Sequence, residues 1–148
     1  MIEGADRWPD CDLFGGRILP KYPDGMIAPP LNDSDFKSVA YVITDWDFPE
    51  GEYFPATKTW GPNMMVRRRV LDQGLRFNPD IGPKGSNYVM GSEIDFLKRA
   101  RAAGHTDVYI RSSLVYHQIR PEKMTSSWLY GRAFRLLTIQ HPFIRCTA

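Results

Sequence analysis

The spacing of apolar and polar positions changes near residue 63. Before it, short apolar runs such as Leu13-Phe14-Gly15-Gly16-Arg17-Ile18-Leu19 and Val39-Ala40-Tyr41-Val42-Ile43 stand between turns, and eight of the twelve prolines fall within residues 1–62. Proline fixes φ and removes a backbone donor, so this density excludes long helices and predicts extended segments and loops. Residues 13–19 read as a strand, with turns around Pro20, Pro23, Pro29 and Pro30. After residue 63 the pattern predicts a short strand over 63–66, a short helix over 67–73 closed by Gly74 and a Gly/Pro loop over 77–91. A helix over 93–103 closed by Gly104 follows, then strands over 108–110 and 114–116. A last helix runs from a Thr125 N-cap to about residue 139. On it Leu129, Ala133 and Leu136 form a core stripe, while Trp128, Arg132 and Arg135 share the neighbouring face at i, i+4 and i+7. Such a face either anchors a tryptophan with its arginines reaching water or binds an anion.

Composition narrows the class. With 148 residues, 43% hydrophobic and 24% charged, the chain suits one domain with a packed core. A net charge of +2 is too small for a nucleic-acid binder. Arg67-Arg68-Arg69 is the one dense basic cluster, and on a short helix two of its three members can face solvent. Cys11 and Cys146 lie near opposite ends without ligand spacing, which predicts neither a zinc site nor a disulfide framework and fits a reduced, cytoplasmic setting. No charged-then-apolar leader stands at the start, and the apolar runs fall far short of the roughly 20 residues a membrane span needs.

Candidate chemistry centres on Gly91-Ser92-Glu93-Ile94-Asp95-Phe96-Leu97. Two carboxylates stand where a helix begins and offers unpaired N–H groups, which favour the ionised form. Ser92 with Asp95 fits an N-cap and capping-box-like pair, which accounts for both without requiring the acid between them. Glu93 is therefore the candidate general base. Asp45-Trp46-Asp47 is a literal D-x-D after an apolar run, able in principle to hold a cation, although Asp-rich turns after strands also arise for conformational reasons. Asp33-Ser34-Asp35 is a weaker instance. Gly82-Pro83-Lys84-Gly85-Ser86-Asn87 is glycine-rich but opens no apolar helix, and reads as a mobile loop over the site. A phosphate-binding βαβ unit needs about 30 residues with a glycine-rich turn entering a helix, and the proline-rich first 60 or so provide none.

Six blocks in order carry a resemblance. Phe14-Gly15-Gly16-Arg17-Ile18-Leu19-Pro20, Gly61-Pro62-Asn63-Met64-Met65-Val66-Arg67-Arg68, the Glu93 block, Ala103-Gly104-His105, Val115-Tyr116-His117 and Arg120-Pro121-Glu122-Lys123-Met124-Thr125 together resemble the C-terminal half of family 2 glycosyltransferases. The resemblance covers about residues 12–137, and residues 138–148 form an unmatched tail. It implies an α/β fold: part of a Rossmann-like GT-A domain, with a mixed sheet and flanking helices, whose nucleotide-binding half lies outside this chain. The family's base is the second acid of a Glu-Asp-type pair. Here Ser92 replaces the first acid and Glu93 takes the position of the second, with Asp95 close by. The family's metal-binding D-x-D precedes the glycine-glycine strand, so Asp45-Trp46-Asp47, which follows it, is a decoy by position.

What the resemblance implies is inverting transfer from a nucleotide-sugar donor to a hydroxyl of a glycan or lipid-linked acceptor, as in polysaccharide assembly, with room for peripheral association at the cytoplasmic face of a membrane. Mg²⁺ or Mn²⁺ would serve the leaving diphosphate, with His117 as a ligand and Arg132 or Arg135 assisting. Gly61, Asn63 and Met64 line the sugar or acceptor pocket by position, and Asp95, Trp128, Arg132 and Arg135 complete the substrate-binding set. Two other readings stand beside this one: a non-catalytic remnant or partner-dependent half, and a metal-dependent hydrolase built from Asp45, Asp47, Glu93 and His117. The hydrolase requires those four side chains to converge.

Overall fold

A computed structural model describes residues 1–27, 34–47, 49–52, 59–84, 87–89 and 91–140. Leu13 and Phe14 are adjacent in strand β1 (Leu13–Lys21), so their side chains leave opposite faces of the sheet, and both are fully buried. A layer must therefore cover each face. Phe14 joins Val108 and Ile110 beneath helix α1 (Ile2–Arg7), with Ala5, Cys11 and the half-buried Trp8 completing that cluster. Leu13 packs with Val70 of α3 (Arg68–Asp72) and with Phe96, Leu97 and Ala100 of α4 (Ser92–Ala102).

The sheet between these layers has four strands in the order β2-β6-β1-β3, where β2 is Gly51–Glu52, β3 is Met64–Val66 and β6 is Asp107–Gln118. β6 runs parallel to β1, and β3 and β2 pair antiparallel on the two sides. The register between β1 and β6 shifts once, so that Gly16 lies opposite Ile110 but Arg17 lies opposite Leu114. Residues 111–113 thus form a bulge in β6, the kind of insertion that bends a strand and re-aims its side chains. Beyond the bulge Leu114 and Tyr116 are exposed, whereas Ile119 enters a third cluster with Ala40, Tyr41 and Leu129. That cluster joins α2 (Ser34–Tyr41) and α5 (Ser126–Gln140) around the C-terminal ends of the two central strands.

The architecture is mixed α/β with a small mixed sheet and flanking helices, in agreement with the expected class. Several local expectations need correction. The proline-rich region holds two short helices, α1 and α2, because no proline precedes Pro9 and none stands between Pro30 and Pro49, so a turn or two can close in each stretch. The two strands expected over 108–110 and 114–116 are one continuous β6, joined through the bulge that broke their apolar pattern. The Gly/Pro segment contains a small hairpin of β4 (Gly82–Lys84) and β5 (Asn87–Val89), although Gly85 and Ser86 lie outside the described residues. Gly74 and Gly104 close their helices at φ 91° and 92°, as expected. Thr125 caps α5, its Oγ1 accepting from the N–H of Trp128 at 3.2 Å. The tail over 141–148, with Cys146, and the residues around Pro29, Pro30 and Asp33 lie outside the described residues, as does the side chain of Leu136. Among the described residues no helix is long and apolar enough to cross a membrane.

Candidate functional site

Ser92 does not cap α4, contrary to the sequence expectation. The cap position belongs to Gly91 in a left-handed conformation, φ 103°, and Ser92 is already the first helical residue. A side chain inside the first turn cannot fold back onto the N–H groups ahead of it. The Ser92 hydroxyl donates instead to Oε2 of Glu93 at 3.0 Å. Asp95 does not reach back to the cap either. It holds Arg99 one turn on, at 2.7 Å, and Arg99 in turn donates to the carbonyl of Arg76. Asp95 therefore ties α4 to the segment after α3.

Glu93 is half-buried, and among the described residues no cation pairs with it. Its carboxylate lies against the Gly61–Asn63 turn, a single 3-10 turn leading into β3. A β-carbon placed on Gly61 would stand 2.6 Å from Oε1 of Glu93. The turn is itself fixed to the sheet. Asn63 is 7% exposed, and its side-chain amide donates to the carbonyl of Arg17 on β1 at 2.8 Å and to that of Ser113 in the β6 bulge at 2.9 Å. The Ser113 hydroxyl returns a bond to Oδ1 of Asn63 at 3.1 Å. Asn63 thus crosses over Gly16 and satisfies the backbone groups that the bulge leaves without a ladder partner. Met64 contributes to the core beneath α4.

His117 lies further along β6, away from the Gly61–Asn63 turn. Its Nδ1 lies 2.7 Å from the carbonyl oxygen of Tyr41, and because a carbonyl only accepts, Nδ1 carries the proton and Nε2 of the neutral ring is an acceptor. A metal-ligating histidine is commonly held in this way, so His117 fits a single ligand position for Mg²⁺ or Mn²⁺. It stands four residues beyond Ser113 on β6, about 13 Å along the strand at the usual rise. Among the described residues no three His, Cys, Asp or Glu side chains gather to hold an ion. Asp45, Asp47, Glu93 and His117 accordingly form no common metal site.

The literal D-x-D has other partners. Asp45 pairs with Arg17 at 2.7 Å and Asp47 with Arg111 at 2.6 Å, while Trp46 between them packs on Tyr109 with ring centroids 5.5 Å apart. Hydrogen bonding to Asp45, then its charge, raises the Arg17 pKa above its ordinary value. Burial pushes the Tyr109 hydroxyl up as well. The two carboxylates are thus each engaged by an arginine, one on β1 and one on β6.

On α5, Trp128 stacks on Tyr41 with ring centroids 5.9 Å apart and planes 10° from parallel. The Arg132 guanidinium lies over Trp128, 6.0 Å from the ring centroid, and reaches the carbonyl of Val39 at 3.5 Å. This is a tryptophan anchored against the body, with Arg132 docking α5 on α2. Arg135 is exposed further along.

One constellation escaped the sequence reading. Asp12, at the entrance to β1, and His105, just after α4, are both buried and joined Oδ2 to Nδ1 at 2.7 Å. The second Asp12 oxygen accepts from Arg69 of α3. Arg67 beside it donates to the carbonyls of Ala5, Trp8 and Cys11 and lies over the Phe14 ring, so of the basic triplet only Arg68 and Arg69 reach solvent. The signal available was a histidine directly after a helix-closing glycine, which is where a C-terminal carbonyl cluster favours a cation.

Of the expected site residues, the fold joins Gly61 to Glu93 and secures Asn63 close by. It holds His117, Trp128 and Arg132 around Tyr41 instead. Comparison with protein-family models, with curated proteins and with solved structures finds no match to this chain.

Proposed function

We propose that this chain is the acceptor-side half of a GT-A glycosyltransferase of the family 2 type, performing inverting glycosyl transfer with Glu93 as general base when joined to a nucleotide-binding half. One observation carries the reading. The glycine-glycine strand, the Gly61-Pro62-Asn63 turn and the Glu93 helix, which are far apart in the sequence, meet at one place through Gly16, Asn63, Ser113, Gly61 and Glu93. A second feature is compatible with it. β3 is an edge strand of the sheet, and an open edge can be extended by strands from another half.

In this reading Glu93 takes the proton of an acceptor hydroxyl while that oxygen attacks the anomeric carbon of the donor. The new C–O bond forms as the bond from the anomeric carbon to the diphosphate breaks, and the electron pair leaves with the diphosphate on the opposite face. Glu93, which no cation pairs among the described residues, has Oε1 left to take that proton, and its reach is set by the Gly61 turn. Mg²⁺ or Mn²⁺, when bound, would offset the charge of the leaving diphosphate, and His117 is the ligand this chain offers toward it. Arg135, exposed on α5, supports the same anion.

A second reading is a half-domain without activity of its own, and the engagement of Asp45 and Asp47 by Arg17 and Arg111 favours it for the isolated chain. The test is nucleoside diphosphate release from a panel of nucleotide sugars with Mn²⁺, by the chain alone and by the chain fused to the nucleotide-binding half of a family 2 enzyme. The expected result is release by the fusion only. Release by the chain alone would return Asp45 and Asp47 to a metal role, and a folded but inactive fusion would overturn the assignment.

A further inference from the structure

The geometry points to Gly61 and Ser92 as positioning residues that hold the Glu93 carboxylate in one pose, an inference that rests on the base assignment to Glu93. Neighbouring residues on a helix do not face each other, so the Ser92–Glu93 bond forms only because the serine hydroxyl turns sideways instead of capping. That bond commits Oε2. The other oxygen lies against the Gly61 backbone, where a β-carbon would come within 2.6 Å of Oε1 and 3.4 Å of both Cδ and Cγ.

Gly61 has no positive φ that would demand glycine, since the left-handed glycines are Gly25, Gly74, Gly82, Gly91 and Gly104. What it supplies is space. The wall it forms is rigid because Asn63, two residues on, is bonded to both central strands. One carboxylate oxygen is thus held by a hydroxyl and the other placed by a gap, which leaves Oε1 as the oxygen that meets the acceptor proton. A fixed base is worth more than a mobile one, because misplacement by an ångström costs orders of magnitude in rate.

The test uses the isolated chain and needs no substrate. Gly61→Ala, whose β-carbon would displace Oε1, should shift the carboxyl carbon resonance of Glu93 while changing the folding constant by less than about threefold, because the end of a glutamate side chain can move aside. The carboxyl carbon resonance of Glu93 should shift and broaden in Ser92→Ala and return in Ser92→Thr, which keeps the hydroxyl. A serine with only a structural role would leave that resonance unchanged. An unmoved Glu93 resonance in either Gly61→Ala or Ser92→Ala overturns the inference. A wrong base assignment shows separately, as unaltered turnover of the Glu93→Gln fusion while both resonance shifts remain.

Discussion

The side-chain amide of Asn63 fills the space above Gly16 that a β-carbon there would need. Each residue explains the other, since the glycine opens the crossing and the asparagine satisfies what the bulge beneath it leaves unpaired. Asn63→Ala should therefore destabilise the chain by about 1–3 kcal/mol, leaving buried polar groups of Arg17 and Ser113 without partners. Gly16→Ala should cost about as much by overpacking. The double mutant should cost somewhat less than the sum, because alanine at 63 removes the amide from the volume that alanine at 16 invades while the Ser113 carbonyl, 2.6 Å from that β-carbon, stays in place. Urea midpoints of the four proteins check this.

Glu93→Gln in the fused enzyme should lower turnover by roughly 10² to 10⁴ while donor binding is retained, because glutamine keeps the shape and loses the basicity. Single-turnover rates alongside calorimetric donor titration separate the two quantities. Transfer at the unmutated rate would shift the assignment away from Glu93. Asp95, held by Arg99, is poorly placed to inherit it.

The two arginines of α5 should behave differently. Arg132→Ala removes the contact over Trp128 and the reach to Val39, so its main effect should be a stability loss of about 0.5–1.5 kcal/mol. Arg135→Ala should weaken nucleoside diphosphate binding by the fusion by about 1.5–3 kcal/mol, the worth of a charge-assisted hydrogen bond. Thermal unfolding and calorimetry on both variants distinguish the roles.

Alkaline pH should unfold the chain through Tyr22 and Tyr41. Burial raises both hydroxyls above the ordinary value of 10.0, so the folded state keeps protons that the unfolded chain releases. Their contribution is complete below pH 10 and declines as pH rises from there through the folded values. Tyr22→Phe should flatten this decline. It should also raise stability at neutral pH by on the order of 1 kcal/mol, because the Tyr22 hydroxyl is buried and finds no hydrogen-bond partner among the described residues. Unfolding curves at pH 7 and at pH values on either side of the tyrosine range test both statements.

Local signals were legible in the sequence where one residue type has one conformational use. Gly74, Gly104 and Thr125 end or begin helices as their chemistry requires, and the apolar run from Leu13 to Leu19 lies in strand β1. Signals that depend on distant partners were not. The Arg17–Asp45 and Arg111–Asp47 pairs turn an apparent metal motif into two ion pairs, and nothing in the spacing of Asp45 and Asp47 announces the arginines. Ser92 looked like a cap because its type and position suit one, yet Gly91 took the cap position and freed the hydroxyl for Glu93. The bulge at 111–113 divided one strand into two apparent ones, since its polar residues interrupt the pattern at the place where the backbone departs from the ladder.

The parallel pairing of β1 with β6 also sets a kinetic condition on the chain. Asp12 and His105, which clasp the start of that pairing, are 93 positions apart, so the middle of the sheet closes only after most of the polypeptide has emerged from the ribosome. Closing a loop of that length costs about 4 kcal/mol in chain entropy before any contact repays it. Until then β1 waits with its β6 edge bare, since only β3 can pair with it from the other side. The interval between synthesis of residue 21 and residue 118 is consequently when this protein is most exposed to aggregation, and when a chaperone has most to shield.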